Sequence, residues 1–213
     1  MSVLRLYHIL PRADHPGSHN ALKVAVLLRE LGLDFQVIDV DPATQLRPAD
    51  APLRKLNPNG LTPILDDDGF ILWESAAIMQ YLCDSRGPTP LLPMEPKPQA
   101  RVLQWVTWEA STVIPALMAL YMARVGGGDA TVAAQRVDFV LGVLEQQLNP
   151  RTFVADNYSI ADIALGGSVP ALLSIGVDFG AYPALRRWLG RLRGRAAWQD
   201  AIFLADLRAG GLG

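Results

Sequence analysis

Three short polar segments within the first 75 residues each stand at or just before the start of a predicted helix or strand. They are Ser18 with Asn20, Thr62 with Pro63, and Glu74 with Ser75. A helix N-terminus attracts anions because its first N–H groups have no partner inside the helix. A proline before a strand cannot donate a ladder hydrogen bond, and the residue before it can pair with an added chain. Each segment also has a purely structural explanation, since serine caps helices and proline starts strands.

The elements around these segments alternate between strand and helix. Two short apolar runs, 3–9 and 35–40, have the composition of strands. Between them, apolar residues recur with the helix period over 20–31, and Gly32 ends that helix. Two strands joined by a helix indicate a parallel pair with a right-handed crossover.

A β-hairpin and a further helix complete this first unit. The residues Asp66 to Gly69 separate two apolar runs, and Asp-Gly at such a place predicts a hairpin turn. A helix then begins near Ser75. The order β-α-β, hairpin, helix is the thioredoxin-like order.

The remainder of the chain carries no convincing strand signal. Five prolines within 87–98 predict a semi-rigid linker. Helices are predicted at 99–124, with a kink at Pro115, and at 131–148, 159–175 and 183–193. The fold class is therefore α/β plus all-α. Its predicted parts are a thioredoxin-like domain (1–84), a linker (85–98) and an all-helical domain (99–213).

Composition narrows the classes of function. The chain has 213 residues, half of them hydrophobic, and a formal net charge of −2. This charge argues against broad binding to nucleic acids or anionic membranes. No signal peptide is predicted, and no apolar run reaches the length of about 18 residues that spans a bilayer. One cysteine, Cys83, excludes an internal disulfide framework, so we expect a cytoplasmic protein.

Four pieces together resemble the cytosolic glutathione S-transferase family, over nearly the whole chain. They are the segments 17–24, 57–63, 74–75 and 158–162. The resemblance is to the branches with a Ser/Thr-x-Asn thiol-activating loop, theta-like or nu-like. It implies glutathione as co-substrate, a hydrophobic electrophile as its partner, no metal, and a homodimer that serves in detoxification.

The resemblance also implies roles for the three polar segments. Thr62, before a cis Pro63, pairs with the backbone of the cysteine of glutathione. Ser75 and the helix N-terminus receive the γ-glutamyl carboxylate, and Glu74 pairs with the nearby ammonium. Leu61 departs from the family pattern, because it cannot make the polar contact to the glycine end. Arg47, Lys55 and Asn59 are the candidate replacements.

Ser18 and Asn20 are the implied thiol-activating residues. A free thiol has a pKa of about 8.5, and a helix N-terminus and a hydroxyl hydrogen bond favour the thiolate. Tyr7 is the rival, since other branches use a tyrosine near the end of the first strand. Two departures from the family bear on this assignment. His19 stands where proline is common, and residues 12–17 resemble an insertion.

Three further expectations concern the rest of the chain. Ser159 and Asp162 have the spacing of a helix capping box, a structural motif. The histidines at 8, 15 and 19 lack the carboxylate or cysteine partners of a metal site, so no metal is predicted. The electrophile pocket is expected between the domains, lined by Trp105, Trp108, Met118, Tyr121 and Met122, which could instead belong to the core or a dimer contact.

The leading hypothesis is therefore a glutathione S-transferase that conjugates the glutathione thiolate to a hydrophobic electrophile. Two alternatives stay open. One is a glutathione-dependent disulfide or peroxide reductase, and the other is a non-catalytic binding protein that has kept the fold.

Overall fold

The computed structural model describes residues 3–13 and 15–212. A four-stranded mixed sheet has the order β2-β1-β3-β4. The strands are β1 (Leu4–His8), β2 (Phe35–Asp39), β3 (Ile64–Asp67) and β4 (Phe70–Trp73). β1 is parallel to β2 and antiparallel to β3, and β3 is antiparallel to β4. The predicted thioredoxin-like arrangement is confirmed.

Helices account for most of the remaining described chain. They are α1 (His19–Glu30), α2 (Pro42–Gln45), α3 (Ser75–Ser85), α4 (Pro96–Trp108), α5 (Ile114–Val125), α6 (Thr131–Leu148), α7 (Ile160–Ser168), α8 (Ala171–Ser174), α9 (Pro183–Arg193) and α10 (Ala201–Ala209). Short 3-10 turns lie at Pro52–Lys55 and Ala196–Trp198. The sheet precedes a helical second part, which confirms the predicted fold class.

Helix α1 is surrounded by other parts of the molecule. Residues 21–28 are all buried, including Lys23. The helix contacts β1 and α3 on one side and α7 of the helical part on the other. α1 therefore packs between the sheet domain and the helical part. Its N-terminus lies near the C-terminal end of β1.

The β3–β4 hairpin turns on Asp68 and Gly69, with φ of 54° and 90°. Positive φ at both central residues is the mark of a type I′ turn, whose twist matches that of the flanking strands. Asp66 Oδ1 accepts a hydrogen bond from the Gly69 N–H at 2.8 Å. The Asp-Gly signal in the sequence thus predicted this turn correctly.

Helices α4 and α5 are continuous through a π-helical turn, Glu109–Val113. The Ile114 N–H donates to the Glu109 carbonyl oxygen, five residues back. Pro115 follows at once, and its ring would clash with the backbone of a regular helix. The sequence predicted a kink at Pro115. The structure has instead a π turn just before the proline, which widens the helix.

Some helix limits differ from the predicted ones. α4 begins at Pro96, inside the proline-rich stretch, because prolines in a first turn lack only an N–H that has no helical partner. The helix predicted over 159–175 is divided at Pro170 into α7 and α8. Helix α10 was not predicted, although Asp200 caps it by accepting from the Ile202 N–H at 3.0 Å.

The continuous helix Pro96–Val125 has 30 residues and a hydropathy that would allow it to span a membrane. This finding concerns length and composition only, so the expectation that no segment spans a bilayer stays a prediction. The helix contributes the buried side chains of Val102, Trp105 and Val106 to the core. It also packs on α6 and α7. A core helix of a helical domain passes the same test of length and composition.

Candidate functional site

Three strand ends bring the predicted polar segments to one end of the sheet. Ile64, the first residue of β3, pairs with Tyr7 of β1 and with Trp73 of β4. The segment before β3 and the segments after β1 and β4 therefore emerge together. These are the segments that contain Thr62, Ser18 and Glu74.

Ser18 is the N-cap of α1. Its N–H donates to the Ile9 carbonyl oxygen at 2.9 Å, which ties the loop to the end of β1. Its Oγ accepts from the Ala21 N–H at 3.2 Å, so the capping interpretation holds. This cap uses only an acceptor site of the hydroxyl, and Ser18 is only half-buried. The hydroxyl hydrogen can therefore be donated to an anion at the helix N-terminus.

A buried ion pair, which was not predicted from the sequence, lies beside Asn20. Lys23 Nζ is 2.6 Å from Glu109 Oε1 and 2.7 Å from Asn20 Oδ1. The Lys23 and Glu109 side chains are only 1% and 3% exposed. A lysine inside an otherwise apolar helix face was the available signal. The pair joins α1 to the π turn between α4 and α5.

Thr62 precedes the predicted cis proline, and the Thr62–Pro63 bond is cis. The Thr62 N–H and C=O form no hydrogen bond within the described residues. The preceding loop is fixed by Asn57, whose Nδ2 donates to the Leu61 carbonyl oxygen at 2.8 Å. Asn57 Oδ1 accepts from the Asn59 N–H at 3.1 Å. The Thr62 N–H and C=O are therefore both free to pair with a ligand, on a loop that the Asn57 side chain holds in place.

Glu74 and Ser75 begin α3, but not in the way that capping alone predicts. Ser75 is the first helical residue, and Glu74, in the N-cap position, makes no side-chain capping hydrogen bond. Ser75 is therefore not the N-cap of α3, as the purely structural explanation of this segment would require. Glu74 has a φ of 72°, a conformation that costs about 1–3 kcal/mol in a residue other than glycine. The N-terminus of α3 is left available for an anion.

The other side chains weighed in the sequence have mostly structural partners. Tyr7 packs with Leu53 against a small cluster formed by Ile9, Val40 and Leu46. Asn59 uses its side-chain amide within its own loop, donating to Asn57 at 3.1 Å. Leu61 is 61% exposed. Arg47 and Lys55 are both exposed.

Helix α10 contacts the loop that carries Ser18. Asp206 accepts from Ser174 Oγ through Oδ1, and its Oδ2 lies 2.8 Å from His19 Nε2. Gly17 has a φ of 95°, and a Cβ at that position would lie 2.6 Å from Ile202 Cδ1. No other residue fits there without a shift. Among the described residues no group of three or more potential metal ligands occurs.

His8 is buried at the end of β1. Its Nδ1 has no hydrogen-bond partner, and burial lowers the pKa of the imidazole below its ordinary value, although Asp200 opposes this shift. As pH falls, the unfolded chain therefore takes up a proton at His8 before the native protein does. Below the ordinary pKa of about 6.5, this difference destabilises the native state.

We therefore expect His8→Leu to weaken the loss of stability on acidification. The measurement is the free energy of unfolding in urea at pH 8 and at pH 5.5. The wild-type protein should lose more of it between the two pH values than His8→Leu does. If both proteins lose the same free energy of unfolding, the His8 imidazole has the same pKa in the native and the unfolded state.

The apolar residues proposed for an electrophile pocket divide into two groups. Trp105 is buried and Trp108 is half-buried, with their rings 5.1 Å apart and nearly perpendicular. Met118, Tyr121 and Met122 are exposed along α5. Only the first group lies next to the π turn that contacts α1.

The capping box of α7 is present as predicted. Asp162 is fully buried, and its Oδ2 accepts from the Ser159 N–H at 3.1 Å. Its Oδ1 accepts from the Val154 N–H at 3.0 Å and from Trp188 Nε1 at 2.9 Å. This carboxylate therefore joins three segments of the helical part.

The chain is similar to known proteins over most of its length. The family models for the glutathione S-transferase N-terminal and C-terminal domains match residues 17–85 and 110–196. Glutathione S-transferase GstB of Escherichia coli (strain K12) is 28% identical, over 88% of this chain and 95% of its own. The disulfide-bond oxidoreductase YfcG of the same strain is 31% identical, over 92% and 94%.

Solved structures give the same likeness. A diazinon-metabolizing glutathione S-transferase of the silkworm, Bombyx mori, has a TM-score of 0.81 and 30% identity. The match covers 97% of this chain and 98% of the silkworm protein. A glutathione S-transferase from Pseudomonas fluorescens has a TM-score of 0.76 and 29% identity, over 92% and 97% of the two chains.

Proposed function

The chain belongs to the glutathione S-transferase family, and from this premise we propose that it binds glutathione where the Ser18, Thr62 and Glu74 segments emerge. The enzyme is a glutathione transferase. The observation that carries the location of the site is the N-terminus of α3. It has no side-chain cap, and the residue before it is held at positive φ.

The γ-glutamyl end of glutathione has a carboxylate and an ammonium group. The first N–H groups of α3 and the Ser75 hydroxyl suit the carboxylate, because a helix N-terminus favours negative charge. Glu74 is exposed and can pair with the ammonium. A residue at positive φ persists only where the surrounding structure requires it, so the strained Glu74 supports a binding role.

The middle of glutathione is a peptide backbone. The Thr62 N–H and C=O can pair with it as a strand edge pairs with an added strand, on the support of the Asn57 loop. At the glycine end Leu61 supplies no polar group. Asn59 is already used within the loop, so Arg47 and Lys55 are the remaining candidates for the terminal carboxylate.

Ser18 would donate its hydroxyl hydrogen to the glutathione sulfur, and Asn20 would donate from its amide. Both stand at the N-terminus of α1, where a thiolate is favoured. We propose on this support that the chain is of the Ser/Thr-x-Asn type, theta-like or nu-like. Tyr7 is the weaker candidate, since its side chain packs against the Ile9 cluster.

The second substrate would be a hydrophobic electrophile. Glu109 of the π turn contacts Lys23 in the second turn of α1, and Trp108 directly precedes Glu109 in the chain. We assign the segment at Trp108 to the wall of the electrophile site. The exposed Met118 and Met122 on α5 suit the contact surface of a homodimer. We further propose that the enzyme acts in the cytoplasm, in detoxification.

A second candidate function is the reduction of disulfides by glutathione, since YfcG is a disulfide-bond oxidoreductase. Such a reaction would depend on glutathione alone. Cys83 is the only cysteine, and burial raises the pKa of its thiol to about 12. The protein therefore has no reactive thiol of its own at neutral pH.

The test is a titration with glutathione, followed by ultraviolet thiolate absorbance, and then turnover with two substrates. We expect binding, and faster turnover of an aryl halide than of hydroxyethyl disulfide. Faster turnover of the disulfide would favour the reductase. Absence of binding at millimolar glutathione would contradict both enzymes and leave a non-catalytic binding protein.

A further inference from the structure

The Lys23–Glu109 pair is the most deeply buried ion pair among the described residues. Removing two charges from water is costly, and apolar residues of similar volume often give equal or greater stability. A stabilising role therefore does not explain why the chain has this pair. Its position beside Asn20 suggests a different one.

An ammonium group has three donors and no acceptor. The Asn20 side-chain atom that faces Lys23 Nζ at 2.7 Å must therefore be the carbonyl oxygen. This chemistry fixes the orientation of the amide. The Asn20 NH₂ group consequently points away from Lys23. Asn20 is exposed, and it lies two residues from Ser18 at the N-terminus of α1.

The surroundings hold Lys23 in this arrangement. Gly167 of α7 leaves room for the lysine stem, because a Cβ there would lie 2.4 Å from Lys23 Cγ. Glu109 is the first residue of the π turn, the point at which the continuous helix widens. π turns inside α-helices are frequent at functional sites. Three elements thus contribute to one buried ammonium.

We propose that Lys23, itself held by Glu109, is a positioning residue that directs the Asn20 NH₂ group toward the thiol of bound glutathione. The proposal rests on the glutathione site proposed above. Lys23 does not touch glutathione in this scheme. It acts by removing the alternative orientation, in which the Asn20 oxygen would face the sulfur and repel the thiolate.

The first test is the double variant Lys23→Met/Glu109→Leu, which replaces the pair with apolar side chains. We expect its urea midpoint to stay close to that of the wild-type protein. We expect the thiol pKa of bound glutathione to rise by about one unit and kcat to fall about tenfold. The KM for glutathione should change less than twofold, because the contacts of Thr62 and Ser75 are intact.

Asn20→Ala provides the decisive comparison. It should raise the thiol pKa by a similar amount, and adding it to the double variant should cause no further rise, since both act through one amide. Additive effects would overturn the proposal, and so would an unchanged thiol pKa in the double variant. Lys97→Met is the matched control, since this lysine is exposed in the first turn of α4.

A second variant and the wild-type protein distinguish a folding defect, a wrong function and a wrong role for Lys23. If the double variant does not fold, Lys23→Met/Glu109→Gln removes the ammonium, keeps the shape of the residue 109 side chain, and should raise the thiol pKa in the same direction. A wild-type protein that binds no glutathione would contradict the proposed function. A wild-type protein that lowers the thiol pKa, with variants that lower it equally, would contradict only the role of Lys23.

Discussion

Ser18→Ala is expected to raise the pKa of glutathione bound to the enzyme and to lower kcat/KM for an aryl halide by about 10- to 100-fold. A hydrogen bond to a charged group contributes about 1.5–3 kcal/mol, and each 1.36 kcal/mol is a factor of about ten in rate. The Ser18 hydroxyl has a hydrogen to give, since its cap of α1 uses only an acceptor site. Ultraviolet titration of the thiolate and steady-state kinetics measure the two effects.

Two variants separate this chemical role from the cap. Ser18→Thr keeps both the hydroxyl and the cap, so it should retain most of the activity. Tyr7→Phe should leave the thiol pKa where it is, because Tyr7 packs against the Ile9 cluster. The assignment of Ser18 is wrong if Tyr7→Phe shifts this pKa and Ser18→Ala does not.

Asp162→Ala is expected to lower the free energy of unfolding by about 4 kcal/mol. The Asp162 carboxylate accepts from the Val154 N–H, the Ser159 N–H and Trp188 Nε1. Each buried donor that is left without a partner costs about 1–3 kcal/mol. Urea unfolding measures the change, and activity per folded molecule should be preserved.

Asp156→Ala is the matched control for Asp162. Asp156 lies in the same connection before α7 and is exposed. Its replacement should change the free energy of unfolding by no more than about 0.5 kcal/mol. A loss of comparable size in both variants would mean that charge in this region, and not the buried hydrogen bonds, stabilises the helical part.

The features that the sequence predicted well are those that a few neighbouring residues determine. The Asp68-Gly69 turn requires positive φ at two positions, and Asp-Gly supplies it. The α7 capping box depends on residues three apart. The roles of the three polar segments came from the resemblance. The pairing of Ile64 with Tyr7 and with Trp73 explains why these segments emerge at one end of the sheet. The predicted domain limits and site roles stay predictions.

The features that the sequence did not predict depend on residues far apart in the chain. Lys23 and Glu109 are 86 positions apart, so no local pattern connects them. Helix α10 is short, and its contact with Gly17 and His19 is visible only in three dimensions. The strained Glu74 was also missed, because the residue type gives no sign of positive φ.

The burial of Cys83 has a practical consequence for all these measurements. Cys83 is 4% exposed, and burial raises the pKa of its thiol to about 12, so the thiol stays protonated across the range in which bound glutathione titrates. The apoprotein therefore contributes no thiolate absorbance of its own near neutral pH. A thiol-specific reagent added to the folded enzyme should likewise count glutathione alone.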